Sequence, residues 1–281
     1  MPAAPWRVAI ITVVPQVALA YAAAVRAFGH EPVAVIGVRR RAPGAPVSVA
    51  ARTLVADVDE QLDVLFASSR RSLARLLRAC EADLGLCTGF PWLIPADAIA
   101  TPPLGIVNGH PSLLPRYRGP FPVAWAVRNG ESEIGLTYHL MDEHFDTGNV
   151  LAQAPVPLAE DDTEETLYAK LEAVAPSLLA TVFERLARGE RGDPQEGGEY
   201  QSAFEDAYHL VDLSQPAAYV HRQARAWSFV PPIAERGPVL ERHGKRVRLA
   251  RTSLVEVDGA EQLDCADGPL WVMESEPLEV R

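Results

Sequence analysis

Cysteine is scarce in this 281-residue chain, which contains only Cys80, Cys87 and Cys265. The count is odd and the spacing matches no metal-binding motif, so the sequence excludes a disulfide framework and predicts no metal site. His139 and His144 flank a polar turn, and we assign them to loop or substrate contacts rather than to a metal. The scarcity of cysteine favours a reducing compartment, and we expect a cytoplasmic protein with free thiols.

Positive charge is also in short supply. The chain has 26 Lys and Arg residues against 37 Asp and Glu residues, which gives a formal net charge of −11. Residues 201–281 carry 9 basic against 13 acidic side chains, and the preceding 200 residues carry 17 against 24. This balance argues against a general nucleic-acid or anionic-membrane binder. Hydrophobic residues make up 48% of the chain, which excludes intrinsic disorder.

The chain lacks an uninterrupted membrane-spanning run. Residues 8–25 are almost entirely apolar, but Pro15-Gln16 divides them into a β-branched half and a half rich in Ala and Leu. Gly29 ends the second half, and Glu31–Val38 again has strand character. This order predicts a βαβ unit with a buried parallel sheet rather than a signal peptide or membrane helix. No glycine-rich fingerprint follows the first strand, so we expect no nicotinamide cofactor.

The alternation of strands and helices continues up to Gly189. We predict helices over 57–66, 68–82 and Pro122–Asn129, and strands over Leu84–Thr88, Leu104–Asn108, Ile134–Met141 and Val150–Val156. A further helix is predicted to start at Asp162, with Glu165 completing a capping box. It should kink or break at Pro176 and end at Gly189. The fold class is therefore α/β, with a Rossmann-like, mostly parallel sheet.

The character of the chain changes after this helix. Residues 189–200 are polar and rich in glycine, and we interpret them as a linker. The part that follows has a helical patch and short β-like runs, at Pro216–Trp227, Val239–Arg242, Lys245–Arg251, Ser253–Val257 and Leu270–Val272. The turn pairs His243-Gly244 and Asp258-Gly259 separate some of these runs. We therefore predict a catalytic domain over 1–200 and a small β-rich domain over 201–281.

A polar stretch at the end of one predicted strand carries the strongest chemical signal. Asn108 and His110 are two residues apart, so on a strand both side chains project from one face. Ligands bind at the carboxyl ends of strands in open α/β sheets. Asp146 lies in a polar turn and could bring a carboxylate to the same edge. These three groups suit acyl transfer without a covalent enzyme intermediate, and ordinary turn roles for all three are the alternative.

The run Asn108–Gly119, with the sequence NGHPSLLPRYRG, resembles the signature of the folate-dependent formyltransferase family. The spacing to Asp146 also fits, and the similarity continues through Thr166–Leu171. Arg225–Trp227 and Lys245–Leu249 are similar to the C-terminal domain of the methionyl-tRNA branch of that family. The resemblance covers most of the chain and is weak before residue 84.

The resemblance implies roles for individual residues. Asn108, His110 and Asp146 would form the catalytic trio, and 10-formyltetrahydrofolate would be the formyl donor. Its pterin would occupy a cleft lined largely by backbone groups of the loops Gly89–Pro95 and His139–Asp146. Apolar side chains of the first loop would form walls of this cleft. The implied cofactor-binding residues are Gly89, Phe90, Trp92, Leu93, Ile94, His139, Met141, Asp142 and Asp146.

Two features depart from the family pattern. Gly109 stands where many members have an apolar or β-branched residue, and glycine loosens the end of a strand. Val14-Pro15-Gln16 stands in place of the glycine-rich turn common in the methionyl-tRNA branch. The second departure weakens any acceptor assignment taken from that branch.

The identity of the acceptor amine depends on surface charge. Arg39–Arg41 follow the second strand, where a tRNA-contacting loop could lie, but neither part of the chain has the basic excess of a phosphate-backbone binder. We therefore expect a small-molecule amine, such as an amino sugar, an amino acid or a hydroxylamine intermediate. Methionyl-tRNA is the alternative acceptor. Hydrolysis of the formyl donor and a non-catalytic scaffold are further alternatives.

Overall fold

A computed structural model describes residues 4–39, 49–58, 62–230, 237–242 and 244–278 of the chain. The chain divides into two compact units, each assembled from three stretches of sequence. The first comprises Met1–Arg116, Leu136–Ala154 and Glu172–Gly198, and the second comprises Tyr117–Gly135, Pro155–Leu171 and Glu199–Arg281. A domain boundary between residues 200 and 201 stays a prediction. In the described part of the chain, none of the helices combines the length and apolar character that a membrane crossing requires.

Seven strands form one sheet. They are β1 (Arg7–Ile11), β2 (Glu31–Val38), β3 (Val64–Ala67), β4 (Leu84–Cys87), β5 (Ile106–His110), β6 (Glu133–Leu140) and β7 (Val150–Pro157). The strand order is β3-β2-β1-β4-β5-β6-β7. The pairs among β1 to β5 are parallel, and β6 pairs with β5 in the antiparallel direction. The prediction of a Rossmann-like, mostly parallel sheet is confirmed.

Helices alternate with most of these strands along the chain. They are α1 (Pro15–Ala27), α2 (Val49–Asp57), α3 (Leu73–Ala79), α4 (Ala96–Ile99), α5 (Pro122–Arg128), α6 (Glu164–Ala187) and α7 (Ala217–Ser228), and α7 follows the strands of this sheet, in the second unit. Short 3₁₀ turns occur at Arg70–Ser72 and Asp206–His209. All four residues of β4 and four of the five in β1 are buried, which explains why both strands are continuously hydrophobic.

The predicted helix over 57–66 is wrong. The preceding helix, α2, ends at Asp57, and the apolar residues Val64–Ala67 form strand β3. Residues 59–61 lie outside the described part of the chain. A short apolar run does not distinguish a helix from a buried strand by its periodicity. Parallel pairing of this run with β2 decides the outcome.

Helix α6 corrects two details of the sequence interpretation. Its start is capped by Thr163, whose hydroxyl accepts the backbone N–H of Thr166 at 3.2 Å while the Thr166 hydroxyl accepts the N–H of Thr163 at 3.0 Å. This reciprocal pair replaces the predicted one of Asp162 and Glu165. The helix also continues through Pro176 as a single element. Pro176 is exposed, so water can reach the carbonyl group that loses its helical hydrogen bond.

The second unit contains an antiparallel sheet of its own. Its strands are β8 (Val239–Arg242), β9 (Lys245–Ser253), β10 (Glu261–Cys265) and β11 (Gly268–Leu278), in the order β10-β11-β9-β8. Helix α7 packs on this sheet through Val220 and Ala224, against Leu249 and Leu270. The predicted β-rich C-terminal part is confirmed.

Two details of this sheet were not predicted correctly. Ser253–Val257 does not form a separate strand, because Ser253 ends β9 and its hydroxyl donates to the carbonyl of Val255 in a turn. Strand β10 was missed because Glu261–Cys265 is mostly polar and only Leu263 is buried. Gly259 adopts a left-handed conformation in the predicted turn, whereas His243 lies outside the described residues.

Residues 190–198, predicted as part of a linker, are packed on the first unit. The backbone of Asp193 pairs in both directions with that of Val150, at 2.8 and 2.9 Å. Arg185 of α6 donates to the carboxylates of Asp193 and Glu190, at 2.8 and 2.7 Å. The segment is therefore held by backbone and charged hydrogen bonds, although its composition is that of a linker.

The carboxylate of Asp162 generates the first testable prediction. Burial raises its pKa, but hydrogen bonds from Lys170 (2.7 Å), the N–H of Ala159 (2.7 Å) and the Thr166 hydroxyl (2.9 Å) outweigh burial and leave the pKa below its ordinary value. Because the folded-state pKa is lowered, the stabilisation is complete above the unfolded-state pKa near 4 and is lost as pH falls through the folded-state value. Asp162→Asn should therefore lower the free energy of unfolding by about 1.5–3 kcal/mol at pH 7.

Urea unfolding of wild type and variant from pH 7 to pH 3 measures this difference. The difference in the free energy of unfolding between the two proteins should be constant down to about pH 4 and should become smaller below it. Asp161→Asn, at an exposed neighbouring carboxylate, is the control and should leave stability unchanged. A difference in the free energy of unfolding that grows as the pH falls would contradict the prediction.

Candidate active site

The end of β5 presents polar side chains inside an otherwise buried sheet. Asn108 pairs with Cys87 of β4 on one side and with His139 of β6 on the other. Asn108 and His110 are two positions apart on this strand, so their side chains leave the same face. His110 is 5% exposed and His139 is 1% exposed, so both rings are largely withdrawn from water.

Asp146 reaches this edge from the loop after β6. The loop folds back so closely that a Cβ atom at Gly148 would overlap the last carbonyl oxygen of β6. Asp142 stabilises the turn by accepting hydrogen bonds from the Thr147 hydroxyl at 2.6 Å and the N–H of His144 at 3.0 Å. Asp146 itself has a φ of 56°, in the left-handed region that residues with side chains rarely occupy.

One carboxylate oxygen, Oδ1 of Asp146, is the common neighbour of three polar groups. It lies 3.4 Å from Nδ2 of Asn108, 3.6 Å from Nδ1 of His110 and 3.6 Å from Nε2 of His139. The first distance is a long hydrogen bond, and the other two lie just beyond hydrogen-bond distance. The structure thus brings the three proposed catalytic residues together with His139, and their roles stay a prediction.

The hydrogens of the Asn108 amide are both directed at neighbours. Nδ1 of His139 lies 3.0 Å from the carbonyl oxygen of Leu140, which can only accept, so Nδ1 carries a proton. Nε2 of His139 then accepts from Nδ2 of Asn108 at 3.2 Å. The other amide hydrogen faces Asp146 at 3.4 Å. At 3.4 Å this bond is near the limit of hydrogen bonding, and we expect its hydrogen to be the one that a substrate oxygen takes over.

Gly109, the departure from the family pattern, has a structural reason. A Cβ atom there would lie 2.5 Å from Oγ1 of Thr88, 2.6 Å from the hydroxyl of Tyr21 and 3.0 Å from the ring of Tyr138. The hydroxyls of Tyr21 and Thr88 are 2.8 Å apart, and Thr88 donates to the carbonyl of Gly109 at 2.9 Å. Burial raises the pKa of Tyr21 to about 12, so the phenol keeps its proton. This hydrogen-bond chain fixes the strand between Asn108 and His110.

Thr137 and Gln153 hold the loop that follows His110. The buried Thr137 hydroxyl donates to the carbonyl of Ser112 at 2.6 Å and accepts the N–H of Leu114 at 3.2 Å. The Gln153 amide donates to the carbonyl of Leu114 at 2.9 Å and to the Thr137 hydroxyl at 2.8 Å. These bonds add to the stiffness that prolines give the loop.

The residues expected to contact folate differ in accessibility. Phe90 and Trp92 meet edge to face, with ring centroids 5.8 Å apart, and both are half-buried, as is Leu93. Phe90 and Met141 pack against the core and keep part of their surface exposed. Ile94 is 1% exposed within that core, so it is almost completely withdrawn from solvent.

A cleft of about 410 Å³ lies beside Met141 and Asp142. It is lined further by α4, Pro102, Pro103, Gly105, Glu143 and Arg191. Its volume falls in the range of about 300–1,000 Å³ that is usual for small-molecule sites. Neither the trio nor Gly89 and His139 line it, so the cleft and the polar cluster share only the loop after β6.

The thiols and the acidic groups offer no second reactive centre in the described residues. No group of three or more His, Cys, Asp or Glu side chains there could hold a metal ion. Cys87 lies beside Asn108, and burial, followed by the charge of Asp146, raises its pKa far above the ordinary value. Such a thiol is a poor nucleophile at neutral pH. Cys80 is also buried, Cys265 is half-buried, and all three thiols are free.

Sequence reasoning missed the residues that act on the backbone around the site. Tyr21, Thr88 and Gln153 bond to carbonyl groups or to each other as described above. Gln195 donates to the carbonyls of Asp146 and Gly148, at 3.0 and 2.7 Å. Bonds from a side chain to a distant carbonyl leave no periodic pattern in a sequence, so no signal pointed to these four residues.

The sequence and the structure both have recognisable relatives. The formyl transferase family profile matches residues 6–183. Eight curated relatives, 31–38% identical to this chain, carry the name methionyl-tRNA formyltransferase. The relative from Roseiflexus sp. (strain RS-1) is 36% identical over 199 residues, which are 69% of this chain and 60% of the relative. The relative from Trichlorobacter lovleyi is 34% identical over 63% of this chain and 56% of its own length.

Solved structures show the same fold. HypX from Aquifex aeolicus in complex with tetrahydrofolic acid has a TM-score of 0.70 at 18% identity, over 98% of this chain and 45% of HypX. Phosphoribosylglycinamide formyltransferase from Bacillus halodurans has a TM-score of 0.52 at 28% identity, over 66% of this chain and 97% of that enzyme. The chain thus spans little more than half of its first curated relatives and nearly all of a smaller enzyme.

Crowding around Gly109 generates the second prediction. Gly109→Ala should lower the free energy of unfolding by about 1–3 kcal/mol, because the new methyl group overlaps two hydroxyls in a packed site. A Tyr21→Phe, Thr88→Ala background lacks both hydroxyls. Adding Gly109→Ala to it should therefore lower the free energy of unfolding by less than in the wild-type background. Urea unfolding of the four proteins gives the coupling directly. An equal cost in both backgrounds would show that these two hydroxyls do not set the requirement for glycine.

Proposed function

The chain belongs to the folate-dependent formyltransferase family, and on that premise we propose that it transfers a formyl group from 10-formyltetrahydrofolate to the amino group of methionyl-tRNA. The observation that carries the proposal is the convergence of Asn108 and His110 on Oδ1 of Asp146 at the carboxyl end of β5. The family membership predicted from the sequence is confirmed.

The expectation of a small-molecule acceptor is wrong. Curated relatives at 31–38% identity are methionyl-tRNA formyltransferases, which was the alternative. The expectation depended on net charge, which describes the average surface and not the part that meets the acceptor. We therefore assign the aminoacyl end of methionyl-tRNA as the amine.

The proposed chemistry follows from the three side chains. The folate supplies a formyl group on N10, and the uncharged acceptor amine forms a bond to its carbon while the bond to N10 breaks. Negative charge grows on the formyl oxygen, and the amide hydrogen of Asn108 that faces Asp146 turns to that oxygen. His110 carries a proton from the amine towards N10. Asp146 holds the imidazole in position through its contact with Nδ1.

Two regions of the first unit support folate binding. The half-buried rings of Phe90 and Trp92 provide an apolar edge, and Leu93 follows them in the same loop. Met141 and Asp142 belong to the predicted pterin loop His139–Asp146, and they also line the 410 Å³ cleft. We propose that the pterin lies against the backbone of these loops and that the cleft takes another part of the folate.

The charged groups of the second unit favour few contacts with the tRNA backbone. Arginines on β8 and β9 are paired with glutamates of β10 and β11, as Arg242–Glu261, Arg248–Glu276 and Arg251–Glu274, at 3.3, 3.0 and 3.5 Å. Such exposed pairs neutralise the surface although each contributes little stability. Arg39 is the one member of the predicted arginine triplet within the described residues.

The third prediction concerns turnover. Asn108→Ala should lower kcat by about 10²–10³, because one donor to the developing negative charge is lost. His110→Ala should cost at least about 10²–10⁴, because proton transfer is lost. Steady-state kinetics with 10-formyltetrahydrofolate measure both, and KM for the folate should change little. In the double variant, kcat should fall by a factor far smaller than the product of the two separate factors. Near-normal transfer by the double variant would place the chemistry elsewhere.

The fourth prediction concerns the acceptor. Methionyl-tRNA should be formylated, whereas free methionine and N-acetylmethionyl-tRNA, the blocked control, should not. Between 50 and 200 mM salt the KM for methionyl-tRNA should rise only about tenfold, which corresponds to about two phosphate contacts. Formate release without any amine would instead indicate a formyl-folate hydrolase, and formylation of free amines alone would overturn the tRNA assignment.

Folinic acid, but not NAD, should raise the melting temperature by mass action.

A further inference from the structure

We propose that Gln195 is a positioning residue that holds the turn carrying Asp146 in its working geometry. The inference rests on the proposed function insofar as Asp146 serves the formyl transfer. Gln195 lies beyond residue 183, where the family match ends, in the segment whose composition resembles a linker. Its role follows from what its amide touches and from how the segment around it is anchored.

The amide of Gln195 makes two bonds to one turn. Nε2 donates to the carbonyl of Asp146 at 3.0 Å and to the carbonyl of Gly148 at 2.7 Å. A primary amide has two hydrogens, so the two bonds use the full donor capacity of that nitrogen. The two carbonyls belong to the peptide groups 146–147 and 148–149, so the two bonds fix the direction of the turn at two points. The side chain of Asp146 follows that direction.

The turn needs such support. Asp146 has a φ of 56°, in the left-handed region that residues with a side chain rarely occupy. Its carboxylate lies 3.4 Å from the Asn108 amide and 3.6 Å from the His110 ring. These separations are at the limit of hydrogen bonding, so a small outward movement of the turn would break both contacts. A misplacement of about 1 Å can lower a catalytic rate by about 10².

The segment around Gln195 is anchored on both sides, so its amide is a fixed point rather than a mobile group. On one side, Asp193 pairs with Val150 of β7 through two backbone hydrogen bonds, at 2.8 and 2.9 Å. On the other side, Gly198 passes so close to the carbonyl of Pro115 that a Cβ atom would overlap it. Pro115 belongs to the loop that follows His110, so the segment links the two loops of the polar cluster.

Gln195→Met is the informative variant, because methionine has nearly the same length and no donor. We expect kcat to fall by about 10- to 100-fold with a much smaller change in KM for the folate, because the turn that carries Asp146 loses its support while the loop Gly89–Pro95 is unaffected. Glu196→Gln, at the exposed neighbouring position, is the matched control and should behave as wild type. Hydrogen–deuterium exchange of residues 142–149 should rise in Gln195→Met and not in the control.

A cycle with Asp146→Asn separates positioning from a general structural role. If Gln195 acts through the Asp146 carboxylate, Gln195→Met should lower kcat much less in the Asp146→Asn background, where the charge is already absent. Equal losses in both backgrounds, or wild-type kcat in Gln195→Met, would overturn the inference. If Gln195→Met does not fold, Gln195→Asn, whose shorter amide reaches at most one carbonyl, runs the same cycle.

The experiment also distinguishes this inference from the proposed function. Absence of formyl transfer by the wild-type chain would contradict the proposed function alone, and the exchange measurement would still test the contact. If the wild-type chain transfers formyl groups and Gln195→Met has the same kcat, the positioning role alone is contradicted. Unchanged exchange of residues 142–149 in Gln195→Met would overturn the contact itself.

Discussion

The position of one carboxylate oxygen is the constraint on which the candidate site depends. Oδ1 of Asp146 lies within 3.6 Å of one amide nitrogen and two imidazole nitrogens that come from β5 and β6. The strands are fixed by the sheet. Asp146 comes from a loop, and its own backbone has a left-handed conformation. The close return of Gly148 to β6 and the two bonds from Gln195 therefore decide whether the strands and the loop form one cluster.

This arrangement has a consequence for how the amide of Asn108 can act. Its two hydrogens face Asp146 and His139, so the amide can donate to a formyl oxygen only by giving up one of these two acceptors. In the proposed reaction the formyl oxygen replaces Asp146 as the acceptor of the longer bond. The exchange is inexpensive because the bond it breaks is already 3.4 Å long. His139 keeps the other hydrogen and so prevents the amide from rotating away.

The sequence predicted the parts of this site that follow from periodicity. Alternation along a strand placed Asn108 and His110 on one face, and chain order placed Asp146 at the same edge. It did not predict the role of residues 190–198, because glycine and polar residues usually indicate a solvated connection. There, Gly198 permits close approach to Pro115 and Gln195 bonds to backbone. Close approach and side-chain-to-carbonyl bonds are properties of the folded chain, and composition does not encode them.

The acceptor was misjudged for a related physical reason. A net charge of −11 sets the field far from the surface, whereas a tRNA acceptor end is recognised over a few ångströms, within a Debye length of about 8 Å at physiological salt. The paired arginines of β8 and β9 show that charge here is compensated locally. An acidic chain can therefore bind an anionic partner through a few groups, and its affinity then depends on fit at the reactive end. In the proposed function, the amide and the two imidazoles around Oδ1 of Asp146 act on the formyl oxygen and the reacting amine, whereas selection of methionyl-tRNA over free methionine depends on the few contacts to the tRNA itself.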